Sequence, residues 1–415
     1  MKTWITYPVA IILGFSAQLL LGGSPYYEKL LDLSVPFVRD LVFFILFPVV
    51  FILFAAAVAS TRRHKDTSAV FSLTIVWALF TTLILSFGAM FLTFLVPQGL
   101  ISFSGTSGAG LINQFFDFKA LRGLFLSDNA FNQFTLSSFS LLPILVVAFL
   151  VGIVMRPNKE EIRPSYVVLN SFAEVAIRLS RLFAILSALF LIVISASLFR
   201  NTNITALLKH SYWYVLALGA IGLATVVVIL PLLYTIFTLF RGQNPYRIGF
   251  RAYPALFSSA LAGNLLFGTT SLIALSNQNN KVRKRVASTS IPIFTIIGRG
   301  GSSMVATFTV IEMLKAVNQG PLSILTMIFI ALFSALFSIA AAFSPGFEVP
   351  FIVMMVLQGF NYPSVSTAVG SLIILLPLIQ LVSILIDSAI AAYGSVYISR
   401  VISPEDKVSA YKAMM

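Results

Sequence analysis

The sequence predicts an all-α polytopic membrane protein with eight transmembrane helices and two re-entrant helical hairpins arranged as inverted repeats. Three observations carry this. Of 415 residues, 58% are hydrophobic and 10% charged, with mean hydropathy +0.97; a soluble domain carries about 25% charge. Several uncharged stretches exceed the roughly 20 residues that a spanning helix needs. Two apolar regions of the second half are interrupted by glycine and polar residues, as in transporters with midplane sites. A soluble enzyme and a disordered chain are excluded. So is an outer-membrane barrel, because the apolar runs are continuous rather than alternating.

Six spans are expected first, near 4–22, 35–60, 69–97, 136–155, 170–199 and 212–240, separated by short polar breaks such as Thr61 to Asp66. The first could be a signal peptide, but no small-residue cleavage site follows, and it reads as an uncleaved span. From Ala252 to Asn280 no residue is charged, yet Gly263-Asn264 and Gly268-Thr269-Thr270-Ser271 interrupt the run. From Ala316 to Ile386 the only charge is Glu348, and Ser344-Pro345-Gly346 and the stretch Gln358 to Pro363 break it. Between them, Gly298-Arg299-Gly300-Gly301-Ser302-Ser303 stands inside an apolar helix. Glycine runs loosen a helix and leave amides unpaired. In lipid such backbone is tolerated only where protein buries it or it lines a cavity.

The basic residues test this topology. Assigned to one side, the N-terminus, the loops at 61–66, 156–166, 241–251 and 281–285 and the tail from Arg400 hold seventeen Lys and Arg, against six opposite. Basic loops face the cytoplasm, so both termini are expected there, in the inner membrane. The first hairpin must then enter and leave from the cytoplasmic side. The net charge of +13 is read as this asymmetry, not as a nucleic-acid surface. There is no cysteine and only His64 and His210, so neither a thiolate nor a histidine metal site is expected. No nucleophile triad, paired acid and base or phosphate-binding loop appears. The chain is not read as an enzyme, and no cofactor is expected.

Pro36-Phe37-Val38-Arg39 with Phe47-Pro48-Val49-Val50-Phe51 resembles the second span of the glutamate-transporter homologues, the dicarboxylate/amino acid:cation symporters. Ser338 to Gly346 resembles the tip of that family's second hairpin. Pro292 followed by Gly298-Arg299-Gly300-Gly301-Ser302 sits where the family carries Asn-Met-Asp-Gly-Thr. The order of spans, hairpins and basic loops matches along nearly the whole chain. The resemblance implies a homotrimer in the lipid bilayer that moves a small-molecule solute by an elevator mechanism. It implies that residues 1–240 hold spans one to six, with one, two, four and five in a scaffold and three and six in the transport domain. Residues 241–415 then form the transport core: first hairpin, broken span seven, second hairpin and span eight.

The departures matter as much. By the resemblance, Gly298 and Gly300 replace an Asn and an Asp that help coordinate sodium. With Gly394 aligned to a family glycine, Gln380 stands where an Asp holds the substrate amine, and Ser383 where an Arg holds a side-chain carboxylate. Asp387 falls at an Asn and Ala391 at a second sodium-site Asp. The expected substrate site comprises Gly268, Thr269, Thr270, Gly298, Arg299, Gly300, Gly301, Ser302, Ser344, Pro345, Gly346, Gln380, Ser383 and Asp387. Its neutral hydrogen-bonding groups suit a small polar or zwitterionic solute of the amino acid or organic acid class. Coupling is assigned to Arg299, Asp387 and Glu348.

Arg299 has no interfacial escape, so it must be paired or face a cavity. It reads as a tethered replacement for a bound cation, with a structural ion pair as the alternative. Asp387 is its natural partner, unless that Asp is hydrated at the end of its span. Glu348 reads as a carboxylate exposed at the extracellular mouth, with a protonatable gate as the alternative. Glu174 and Arg178, spaced i,i+4, read as a structural pair. The function expected is sodium-independent secondary transport; a proton-coupled carrier, an anion channel or a non-transporting solute sensor are the rivals.

Overall fold

The computed structural model describes residues 3–96, 142–155, 160–201, 212–240, 242–318, 322–342, 346–360, 372 and 375–402. Among these the chain is almost entirely helical. The first half contains α1 (Thr3–Leu21), α2 (Pro25–Arg63), α3 (Thr67–Leu92), α4 (Leu142–Val154), α5 (Arg163–Asn201) and α6 (Tyr212–Phe237). The second contains α7 (Pro245–Leu261), α8 (Leu265–Gln278), α9 (Lys284–Ile297), α10 (Gly300–Asn318), α11 (Ile324–Ala341), α12 (Glu348–Gly359) and α13 (Leu376–Ile402). Among the described residues, six helical segments are long and apolar enough to cross a membrane, with α9 and α10 counted as one. A seventh is α5, which bends by 48° between Ser180 and Ile185. The expected span at 136–155 begins outside the described residues. The π-turn Thr225–Ile229 in α6 accommodates Pro231, which has no N–H to donate and crowds the preceding turn.

The second half folds as two helical hairpins around a broken helix. In the first, α7 and α8 pack together across the turn Ala262-Gly263-Asn264. Gly263 takes φ +60, where a side chain is strained. Asn264 caps α8, its side chain accepting from the Leu266 amide at 2.9 Å. Asn279 Nδ2 donates to the Arg251 carbonyl at 3.3 Å and ties the open end. The expected interruption at Gly268 to Ser271 is not a break: α8 runs through it. A Cβ on Gly268 would lie 1.9 Å from Ser259 Oγ and 2.7 Å from the Ala255 carbonyl, so this glycine lets the two arms touch. The second hairpin pairs α11 with α12.

One large apolar core joins α3 and α6 to α13, with a few residues from α2 and α5. A separate cluster packs α2 against α4. α1 lies on α5, where Tyr7 and Ser187 share a hydrogen bond. At the centre is α13, buried from Ile379 through most of its length. Trp77 of α3 donates its indole N–H to the Ile390 carbonyl at 3.1 Å. A Cβ on Gly394 would come within 2.6 Å of that indole and 2.5 Å of Phe294, so the glycine permits three helices to meet.

The first turn of α9 is tied by two ion pairs. Lys284 pairs with Glu174 at 2.5 Å and Arg285 with Asp66 at 2.7 Å. Glu174 therefore reaches across to α9 and not along its own helix to Arg178, which is exposed.

Candidate functional site

The helix break between α9 and α10 is short and polar. Gly298 ends α9, its amide donating to the Phe294 carbonyl at 2.9 Å. Arg299 follows, and α10 begins at Gly300 with its first amides free to point outward. Asp387 on α13 meets them. Its Oδ1 accepts from the Gly301 amide at 2.6 Å and the Ser302 amide at 3.4 Å, and its Oδ2 from the Ser302 hydroxyl at 2.7 Å. An Asp from another helix thus performs the work of an N-cap, where the helix end favours a negative charge. Gly301 makes this approach possible: a Cβ there would lie 2.3 Å from the Ser383 carbonyl and 2.6 Å from Ile386. Gly300 does the same toward α3, with Thr82 and Leu85 each 3.2 Å from its would-be Cβ.

Arg299 is 2% exposed and its two neighbours less: Glu348 1% and Asp387 0%. Its Nη1 lies 3.3 Å from Glu348 Oε1 and 3.9 Å from Asp387 Oδ2. The expected partner Asp387 is therefore present but farther, and Glu348 makes the closer pair. This corrects the expectation that Glu348 is open to water. It is buried where α12, which starts at Glu348, packs against α10 and α11 and touches α13. Its other oxygen, Oε2, accepts from the Gly346 amide at 3.0 Å.

The remaining expected residues divide. Gly346 and Gln380 join this cluster: Gln380 Nε2 lies 3.8 Å from a Cβ built on Gly346, and its Oε1 2.8 Å from one on Gly263. Gln380 therefore stands between the first hairpin's turn and the start of the second hairpin's return arm. Ser383 touches Gly301 through its carbonyl, while its hydroxyl donates within its own helix to the Gln380 carbonyl at 3.1 Å. Gly268 serves hairpin packing, and Thr269 donates to the Leu265 carbonyl at 3.0 Å. Thr270 Oγ1 is buried with no hydrogen-bond partner among the described residues. Ser344 and Pro345 lie outside the described residues.

Two features were missed in the sequence. A cavity of about 420 Å³ opens beside Gln380, lined by Arg39 and Phe43 of α2, Ser197 of α5, and Asn264 and Phe267 at the first hairpin. Its volume falls in the range that binds small molecules. No signal in the sequence brings α2 to the hairpin turn. The second feature is a buried pair at the far end of α10. Lys315 Nζ donates to Glu312 Oε1 at 3.0 Å and to the Thr93 carbonyl at 2.6 Å. Both residues are at most 6% exposed, so Lys315 is not the loop charge that the topology count assumed. A Glu and a Lys three residues apart near a helix end were the available signal, and that spacing does not tell a buried pair from a surface one.

The sequence model of the sodium:dicarboxylate symporter family matches residues 8–402. The chain belongs to this family. Among curated proteins none matches it. It is thus a multi-pass membrane protein of a dicarboxylate/amino acid symporter family, and the buried cluster around Arg299 lies inside the matched region.

Proposed function

We propose that this symporter-family protein is a secondary active transporter for a small polar or zwitterionic solute, working by an elevator mechanism without sodium. The observation that carries this is Arg299, buried at the α9–α10 break and held by Glu348 and Asp387. In this reading the guanidinium is a cation tethered to the chain. A sodium ion 4 Å from it would be repelled by about 4 kcal/mol at an effective dielectric of 20, roughly a thousandfold in occupancy. The carboxylate oxygens are also engaged. Asp387 accepts three donors, and Glu348 accepts from Arg299 and Gly346.

The division of the packing supports a scaffold and a moving part. The shared core of α3 and α6 to α13 corresponds to the transport domain, and α1, α2, α4 and α5 to the scaffold of a homotrimer. Eight spans with two re-entrant hairpins follow from that assignment, and the excess of seventeen basic residues against six supports cytoplasmic termini. The cavity beside Gln380 lies where both parts meet and fits the solute class. With Ser383 in place of a cationic partner, the transport-domain lining of the cavity has no cation and the charge that lines it is the scaffold's Arg39, so a second carboxylate has no partner that moves with it, and aspartate and glutamate bind poorly.

The test is a thermal-shift screen of the purified chain over amino acids and organic acids, followed by uptake of the hit into proteoliposomes. A solute at a hundred times its Kd stabilises by about 2.7 kcal/mol. A hit that is concentrated against a gradient supports the reading. A hit that binds but never crosses the bilayer contradicts it, and so does micromolar binding of aspartate.

A further inference from the structure

The open end of the first hairpin gathers positive charge with nothing to balance it. From Val175 to Ile311 the chain has no Asp or Glu. Arg247 and Arg251 stand about one turn apart on α7, and Lys281 and Arg283 lie on the connection from α8 to α9. Folding brings these segments together. Asn279, two residues before Lys281, donates its side-chain amide to the Arg251 carbonyl, and the Arg283 amide donates to Ser399 Oγ at 3.2 Å, next to Arg400. Lys284 and Arg285 find carboxylates on α5 and at the start of α3. Among the described residues, Arg247, Arg251, Lys281 and Arg283 have no ion-pair partner. All four are exposed or half-buried.

The same arm carries an aromatic ladder. Tyr246, Phe250, Tyr253 and Phe257 are spaced i, i+4, i+7 and i+11, which is one face of a helix. Tyr246, Phe250 and Phe257 are 60%, 63% and 41% exposed. The Phe250 and Tyr253 ring centroids lie 5.8 Å apart, and those of Tyr253 and Phe257 6.1 Å. The ladder is about 16 Å long, close to the hydrocarbon depth of one leaflet. α7 buries its other face against α8 and α13.

We infer that this outer face of the first hairpin binds an anionic phospholipid, its phosphate held by Arg247, Arg251, Lys281 and Arg283 and its acyl chains laid along the aromatic ladder. Charge complementarity decides the class, because a zwitterionic head group would bring its own cation among four others. Arginine reaches the head groups from within the leaflet, since its stem is apolar and its guanidinium snorkels outward. Each Lys or Arg beside an anionic membrane surface strengthens binding about fivefold. α7 leads on to the turn at Gly263 and Asn264, so the bound lipid rides on the hairpin that lines the cavity. The inference goes beyond the transport reading and depends on neither the solute nor sodium.

The test is native mass spectrometry of the full-length chain, released from micelles that hold equal amounts of phosphatidylglycerol and phosphatidylcholine. The wild type should retain phosphatidylglycerol about tenfold over phosphatidylcholine. Arg247→Gln with Arg251→Gln should weaken that preference about fivefold or more. If this variant does not fold, Lys281→Gln with Arg283→Gln gives the same reading. Arg63→Gln with Arg178→Gln, which removes two exposed cations elsewhere, should leave the preference unchanged. Phe250→Ala with Phe257→Ala should lower the retention of both lipids and keep their ratio. Glycerol 3-phosphate, offered alone, should not be retained, because it has no chains to lie on the ladder. A wild type without the preference overturns the inference. So does a preference that survives both charge variants or falls equally in the Arg63 and Arg178 pair, and so do unchanged retention in the phenylalanine variant and retention of glycerol 3-phosphate.

Discussion

Gly301 and Glu348 set the tolerance of the site one residue at a time. A methyl group at Gly301 would meet the Ser383 carbonyl at 2.3 Å, and that atom is backbone that cannot swing away. Gly301→Ala should therefore destabilise by about 1–3 kcal/mol through overpacking. Gly88 is the control: nothing lies within 4 Å of its would-be Cβ, and it sits inside α3. Gly88→Ala should stabilise by about 0.4–1 kcal/mol, and thermal unfolding in nanodiscs reads both. Arg299→Met strands two buried carboxyls and should cost about 3–5 kcal/mol. Glu348 makes the closer pair and has fewer donors of its own than Asp387. Adding Glu348→Gln to Arg299→Met should therefore recover more stability than adding Asp387→Asn. A double-mutant cycle checks this, with coupling of about 0.5–3 kcal/mol. A larger rescue by Asp387→Asn would reverse the order of partners. The sequence made Arg299 visible, because a charge inside an apolar helix must have company. It did not reveal Glu348 as that company, because the two are 49 residues apart and meet only when the second hairpin packs onto the break.

At the scale of elements, helix breaks were legible where glycine left a backbone group to be satisfied. Gly298 and Gly263 do end helices. Gly268 does not, because a glycine needed for close helix contact looks the same in sequence as one needed for a turn. The charged loops were legible as loops but not as clamps. The pairs Lys284–Glu174 and Arg285–Asp66 depend on α9 lying beside α5 and the start of α3. Lys284→Ala should cost at most about 1 kcal/mol, since that pair is half exposed. The side of the membrane on which this loop sits can be read with one cysteine, as the chain has none. Ser288 is 3% exposed and would label poorly from either side, whereas Lys281 is exposed. Lys281→Cys should resist an impermeant thiol reagent added to whole cells and react in inside-out vesicles. Labelling in whole cells would place the first hairpin on the opposite face.

Across the whole molecule, composition and the order of apolar segments announced a polytopic transporter. Where they fell short was in the contacts between distant segments, such as the cavity between α2, α5 and the first hairpin. Periodicity and charge report each segment's surroundings and not which segment supplies them. The central claim is that Arg299 stands in for the cation that this symporter family binds. It is tested most directly by the affinity for the solute found in the thermal-shift screen, measured in sodium chloride and in choline chloride at matched ionic strength. The account predicts the same Kd in both salts. A gain of about tenfold or more in sodium, some 1.4 kcal/mol of coupling, would contradict it.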